Sequence, residues 1–166
     1  KPSILGDIEL QVGNESFPVH KAVLRARAPV FWQKISGNDP YTYGKIVIKD
    51  SSFSNTNVRC FLNYLYSGEI EDKFSINTLY DLAHKYEIGT LKRDCALILA
   101  SSLNLGSVCD ILKLAYDCDD ANLKQKAIAF AANHVNELLK TARWKALLLK
   151  YPMIGYDVMA ISFSKK

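Results

Sequence analysis

The chain has 166 residues, 49% of them apolar and 23% charged, enough for a sizeable core and in the balance of a folded chain rather than a disordered one. Its net charge of +4 is spread over lysines and arginines interleaved with acids, which argues against the clustered basic footprint of a nucleic-acid binder. No apolar run approaches the ~18 residues that cross a bilayer and no signal-peptide pattern opens the chain, while a start at Lys1 rather than Met suggests a piece of something longer.

Residues 8–12, IELQV, alternate apolar and polar, the period of a half-buried strand. GNES follows as a turn and FPV opens a return strand, so residues 8–19 predict a hairpin. The spacing then becomes helical: Ala22, Val23, Ala26, Val30 and Phe31 share a face, and Pro29 is placed to begin a second short helix. SGNDPYTYG is a polar and aromatic loop dense in breakers, KIVIK a short third strand, and SSFSNTN a helix start rich in capping residues. Val58, Phe61, Leu62, Leu65 and Tyr66 recur at helical spacing until Gly68, after which EIE predicts a small strand. From Ser75 onward helix dominates, with breaks near Gly89 and Thr90, at 103–106, near Asp119 and Asp120, and at Thr141 and Pro152. The change from mixed elements to helix alone sets the expected boundary near residue 104, and a helix is expected to start around Asp120 with an acid at its positive end.

The eight glycines stand at least seven positions apart, which excludes the dinucleotide fingerprint and the P-loop; no HExxH or GxSxG occurs. His20, His84 and His134 are isolated from one another and from cysteine at ligand spacing, so they read as structural rather than metal-binding. Cys60, Cys95, Cys109 and Cys118 form no CxxC and sit in apolar helical patterns, as buried free thiols of the cytosol or nucleus do. Asp119 and Asp120 read as caps, not as a catalytic pair. No nucleophile, base and oxyanion donors assemble, so no catalytic, cofactor-binding or metal-binding residues are expected and the chain is expected not to be an enzyme. In FPVHKAVLRARAPVF, residues 17–31, Phe17, Val19, Val23, Leu24, Val30 and Phe31 supply core, each worth roughly 1.5–3 kcal/mol when buried. His20 is expected to hydrogen-bond backbone there, and Arg25 and Arg27, two apart, cannot share one helix face toward a single phosphate.

GDIELQVGNESFPVHKAVLRARAPVFW resembles the start of a BTB/POZ domain, in which an aspartate opens a hairpin and a His-Lys/Arg pair opens the next helix. FLNYLYSGEI resembles the family's next signature, a helix running into an apolar-Tyr-Ser/Thr-Gly turn, and LYDLAHKYEIGTLKRDCALILASSL its closing helical hairpin. The remainder is similar to the helical tail of speckle-type POZ adaptors, a 3-box helix pair and a shortened BACK segment with a Trp-Lys near its end, here Trp144 and Lys145. The resemblance implies an α+β fold. Residues 1–103 would form a BTB/POZ domain with a short mixed sheet flanked by helices, and 104–166 an all-α 3-box and partial BACK segment.

The implied function is a non-enzymatic protein–protein interaction module, the substrate adaptor of a cullin-3 RING ubiquitin ligase. The cullin amino-terminal region would meet the loop after the Pro29 helix and the 3-box. In the family that loop carries a hydrophobic-x-Glu motif; here ISGNDPYTYGK is about one residue shorter and has no glutamate, so the motif is missing. Ile35, Tyr41 and Tyr43 remain as apolar anchors, or fold back onto the domain. His84 and Tyr86 fall where the closing hairpin borders the cullin, and Leu105, Val108 and Ile111 where the 3-box does, in a stripe that reads either as core or as a groove. Asp7 and Lys21 fall in a charged pocket near the family's dimer groove, as a plain ion pair across the hairpin or as a binding feature. The family's dimer helix is replaced by KPSILG, with Ile4 and Leu5 as its remnant, so a weakened homodimer is expected. Met159 marks a second self-association surface, and the ubiquitination substrate is expected to bind another part of the parent protein. The alternative is a BTB scaffold that self-associates or recruits corepressors without a cullin.

Overall fold

In a computed structural model that describes residues 6–37, 42–71 and 75–164, the first unit, Lys1–Cys95, opens on the expected hairpin. Strand β1 (Ile8–Val12) pairs antiparallel with β2 (Glu15–Val19), with Val12 opposite Glu15 and a two-residue loop between them. Gly13 takes φ 56° at the first loop position, a left-handed value that glycine adopts without strain. Strand β3 (Gly44–Val47) joins the other side of β1 in parallel, giving the order β2-β1-β3 and a short mixed sheet. Alternation sends Ile8, Leu10, Val12, Phe17, Val19 and Ile46 into the core. Pro18 lies opposite Glu9 and has no N–H to donate, so it blunts the free edge of β2 against a further strand.

Helices α1 (Lys21–Arg27) and α2 (Pro29–Ser36) follow, with Pro29 in the first turn of α2 as expected. Their buried face runs through Leu24, Ala28, Phe31 and Trp32, whereas Ala22 and Ala26 are exposed and Val23 and Val30 half-buried. The periodicity does not carry across because Ala28, at φ −143° and ψ 60°, breaks the helical path between the two. Helix α3 (Asn55–Ser67) is capped by Ser54, whose Oγ accepts the Asn57 N–H at 3.2 Å, and closes at Gly68, whose N–H reaches the Tyr64 carbonyl. Residues 69–71 have no ladder partner among the described residues, so the expected small strand does not form. Helix α4 (Ile76–Lys85) is followed by α5 (Gly89–Ser101); the break falls at 86–88, with Glu87 at φ 57°, and Gly89 starts the next helix rather than ending one.

The core of this unit centres on four rings, Phe31, Phe53, Phe61 and Tyr86, whose centroids stand 5.0–6.5 Å apart in mostly edge-on and tilted pairs. The His20 side chain meets a side chain instead of backbone: the His20 main-chain N–H donates to the Tyr66 hydroxyl at 2.9 Å, and the ring Nδ1 lies 2.9 Å from the same oxygen.

The division between units falls inside α5, and the second unit, Ala96–Lys166, is all helix. It continues with α6 (Val108–Asp117), α7 (Ala121–Asn133), α8 (Val135–Leu138), α9 (Ala142–Lys150) and α10 (Pro152–Ser164). Asp120 caps α7 by accepting the Leu123 N–H at 3.0 Å, and Thr141 caps α9 by accepting the Trp144 N–H at 3.2 Å. Leu112, Leu123, Ala127, Leu138, Trp144, Ile154 and Val158 are buried. Polar ties hold the helices in place: Arg143 to Asp110 at 2.7 Å, Tyr151 to Asp117 at 2.8 Å, and the Tyr116 hydroxyl to Asp157. Burial, with the bond to Asp157, pushes the Tyr116 phenol well above its ordinary value. All four cysteines are free; Cys95, Cys109 and Cys118 are buried and Cys60 is half-buried.

Candidate functional site

The first unit carries a concavity of about 350 Å³ at the end of β3, lined by apolar Ile35, Val47, Ile48 and Tyr86 and by charged Lys34, Lys49 and Asp50. Asp50 organises it. Its carboxylate accepts the Tyr86 hydroxyl at 2.5 Å, the Lys85 ammonium at 2.7 Å and the Ser52 N–H at 3.0 Å. Burial alone would raise this carboxyl; the bonds from Lys85, Tyr86 and Ser52 outweigh it and hold the group well below the usual carboxylate range. Burial together with Asp50 pushes the Tyr86 phenol well above its own ordinary value. The ring of Tyr86 is thereby fixed with one side in the aromatic core and its polar end at the concavity.

Two of the sequence-derived positions meet here. Ile35 is half-buried at the end of α2 and Tyr86 is 4% exposed, and both line the concavity. Tyr43 is 74% exposed, and the Lys21 ammonium stands 3.5 Å from its ring centroid. Asp7 reaches Lys21 through the main chain: its carboxylate accepts the Lys21 N–H at 2.8 Å, tying the start of the hairpin to the first turn of α1 while the ammonium lies on Tyr43. His84 is exposed on α4, its Nδ1 3.3 Å from the Lys92 ammonium. Tyr41, Ile4 and Leu5 lie outside the described residues.

In the second unit the three 3-box positions separate. Leu105 is 46% exposed in a turn held by Asn104, whose side-chain oxygen accepts the N–H groups of Gly106 and Ser107 at 2.8 and 3.0 Å. Val108 and Ile111, at 0% and 1% exposure, are core side chains of α6. Met159 lies on α10 beside an outward row of Met153, Tyr156 and Phe163, all mostly exposed. The single charged residue of α10, Asp157, is engaged by Tyr116.

Val47, Ile48, Lys34, Lys49 and Asp50 belong to the concavity and were not expected there. KIVIK held a signal for two of them, since alternation that buries Ile46 and Ile48 sends Lys45, Val47 and Lys49 outward.

Residues 1–103 match the BTB/POZ domain family. The chain belongs to the BTB/POZ family. The BTB/POZ domain is followed here by an all-helical tail. Three curated relatives extend the likeness into that tail. A BTB/POZ domain-containing protein of Arabidopsis thaliana is 29% identical over 155 residues, 92% of this chain and 75% of that protein. The BTB and MATH domain-containing protein 42 of Caenorhabditis elegans is 28% identical over 146 residues, 85% of this chain and 35% of its own length. The TD and POZ domain-containing protein 1 of Mus musculus is 28% identical over 153 residues, 90% of this chain and 42% of its length. The chain thus spans less than half the length of two of these relatives. BTB/POZ domains are non-catalytic interaction modules, and the described residues contain no group of three or more His, Cys, Asp or Glu placed to hold a metal ion. No single described helix is long and apolar enough to cross a membrane.

Proposed function

We propose that this chain is the docking module of a ubiquitin-ligase adaptor, binding the amino-terminal region of cullin-3 through its BTB/POZ unit and its helical tail, the latter a 3-box and partial BACK segment. The observation that carries the proposal is the concavity in which Ile35, Val47, Ile48 and Tyr86 stand beside Lys34, Lys49 and Asp50, with exposed Tyr43 just before the strand that leads into it. Aromatic and aliphatic anchors in a partly desolvated depression are what interface hot spots are made of. Leu105, held outward by Asn104, is a second anchor in the tail. His84, exposed on α4, is a peripheral contact. Val108 and Ile111 support the tail from inside instead of meeting the partner directly. The relatives named for a MATH or TD domain beside the POZ domain support a substrate-reading part elsewhere in the parent protein. The free thiols fit a cytoplasmic or nuclear setting.

A second reading, a self-associating scaffold that recruits corepressors, is favoured by two observations. The loop after α2 lacks the glutamate of the cullin motif. Two apolar surfaces are also uncovered: the α10 row, and a concavity of about 320 Å³ lined by Ala22, Val23, Ala26, Leu65 and Tyr66 with Arg27. Asp7 and Lys21 brace α1, which carries that concavity.

Titration calorimetry against the cullin-3 amino-terminal region separates the readings. The adaptor reading expects a Kd tighter than about 10 μM, which is about −6.8 kcal/mol, weakened at least tenfold by Ile35→Asp and by Leu105→Asp. Binding weaker than that, with dimerisation in sedimentation equilibrium, supports the scaffold.

A further inference from the structure

Beyond cullin binding, we infer that the outer edge of β3 is a strand-addition site for an extended acidic segment of a partner protein. Ile48 donates its N–H to the Gln11 carbonyl of β1 at 2.9 Å. In an extended chain the N–H and C=O of one residue point to the same side, and the side alternates with each residue. Ile46 and Ile48 therefore direct their backbone groups to β1, and Lys45 and Val47 direct theirs away from it. β3 ends the order β2-β1-β3, so among the described residues no strand meets those groups. Proline closes the opposite edge at β2, but β3 has none, and Val47 is 55% exposed. An open edge of this kind is a template for another strand.

Charge selects the occupant. Antiparallel pairing of KIVIK with a second copy, centred on Val47, would set Lys45 of each chain against Lys49 of the other, a like-charge pair at both ends. The same lysines attract an acidic strand. Lys34 and Lys49 form no ion pair with a described carboxylate, and Lys45 faces only Glu9 across the ladder. Lys85 and Asp50 already neutralise each other. The concavity beside Val47, lined by Ile35, Ile48 and Tyr86, accepts an apolar side chain from the added strand. The ligand class is thus an extended segment alternating acidic and apolar residues, recognised by backbone pairing with specificity from alternate side chains. This site rests on the β3 ladder and holds whether or not a cullin binds.

A fluorescein-labelled nine-residue peptide alternating Glu and Val, and its Lys-Val counterpart, test it by anisotropy on the intact chain. The Glu-Val peptide should bind at least tenfold more tightly. Val47→Pro removes the outward N–H while leaving the bonds to β1 in place, as proline on an edge strand allows, and should cost at least tenfold in that affinity. Lys34→Glu with Lys49→Glu should reverse the preference. Amide exchange followed by NMR decides the geometry without any substitution. The Lys45 and Val47 amides should exchange fast in the free chain and slow on saturation with the Glu-Val peptide, with Ile48 slow throughout. Equal affinity for the two peptides, or bound peptide that leaves the Lys45 and Val47 amides unprotected, would overturn the inference.

Discussion

Tyr86→Phe deletes one oxygen and leaves the four-ring cluster in place, so its effect reports on the bond to Asp50 alone. Hydrogen bonds to a charged group contribute about 1.5–3 kcal/mol. Asp50 is 15% exposed and keeps Lys85 and the Ser52 N–H after the substitution, which sets the expected loss at the low end, about 1.5–2 kcal/mol at pH 7. The loss should depend on pH in a defined direction. A carboxyl held below its usual value contributes fully above the unfolded value of about 3.9, and the contribution is lost as pH falls through the lower folded value. Urea unfolding should therefore show a lowered midpoint with unchanged slope at pH 7. The difference from the parent chain should persist down to about pH 3 and shrink only in stronger acid, where Asp50 protonates in the folded state. A loss that disappears by about pH 4, while Asp50 is still ionised in the folded chain, or none at pH 7, would refute the assignment of Asp50 as the organising charge.

Three further expectations rest on other parts of the molecule. Burial, with Asp94 beside it, pushes the Cys95 thiol up to about 12, so at pH 8 half-buried Cys60 should react with a thiol reagent well before Cys95, which reacts only on unfolding; equal rates would contradict the burial. Gly6→Ala should destabilise far more than Gly89→Ala in thermal unfolding, because a Cβ at Gly6 would stand 2.5 Å from the Val19 nitrogen whereas nothing lies within 4 Å at Gly89. Tyr156→Asp on α10 should leave the melting temperature within about 2 °C and lower any self-association seen by sedimentation, since Tyr156 is 70% exposed.

The hairpin, the start of α2 at Pro29, the cap at Asp120 and the stop at Gly68 were legible because each is a local signal, carried by period, capping chemistry or backbone freedom over a few residues. The parallel pairing of β3 with β1 is not local; more than thirty residues separate Val12 from Gly44, and no periodicity encodes a register across that distance. The same limit hid the partner of His20, Tyr66, which folding brings to it. Apolar spacing marks a helix face but not what covers it, so Leu105, Val108 and Ile111 looked alike in sequence although the first is exposed and the others are core. Asp50 drew no attention because its meaning lies in Tyr86 and Lys85, at the end of another helix.

Hydrogen exchange with mass-spectrometric detection, on the chain alone and saturated with the cullin-3 amino-terminal region, addresses the docking surface itself. Exchange should slow over residues 34–37 and 43–50 around the concavity and over 102–107 around Leu105, with α10 unchanged. Protection confined to α10, or no protection anywhere at saturating cullin, would contradict the adaptor function.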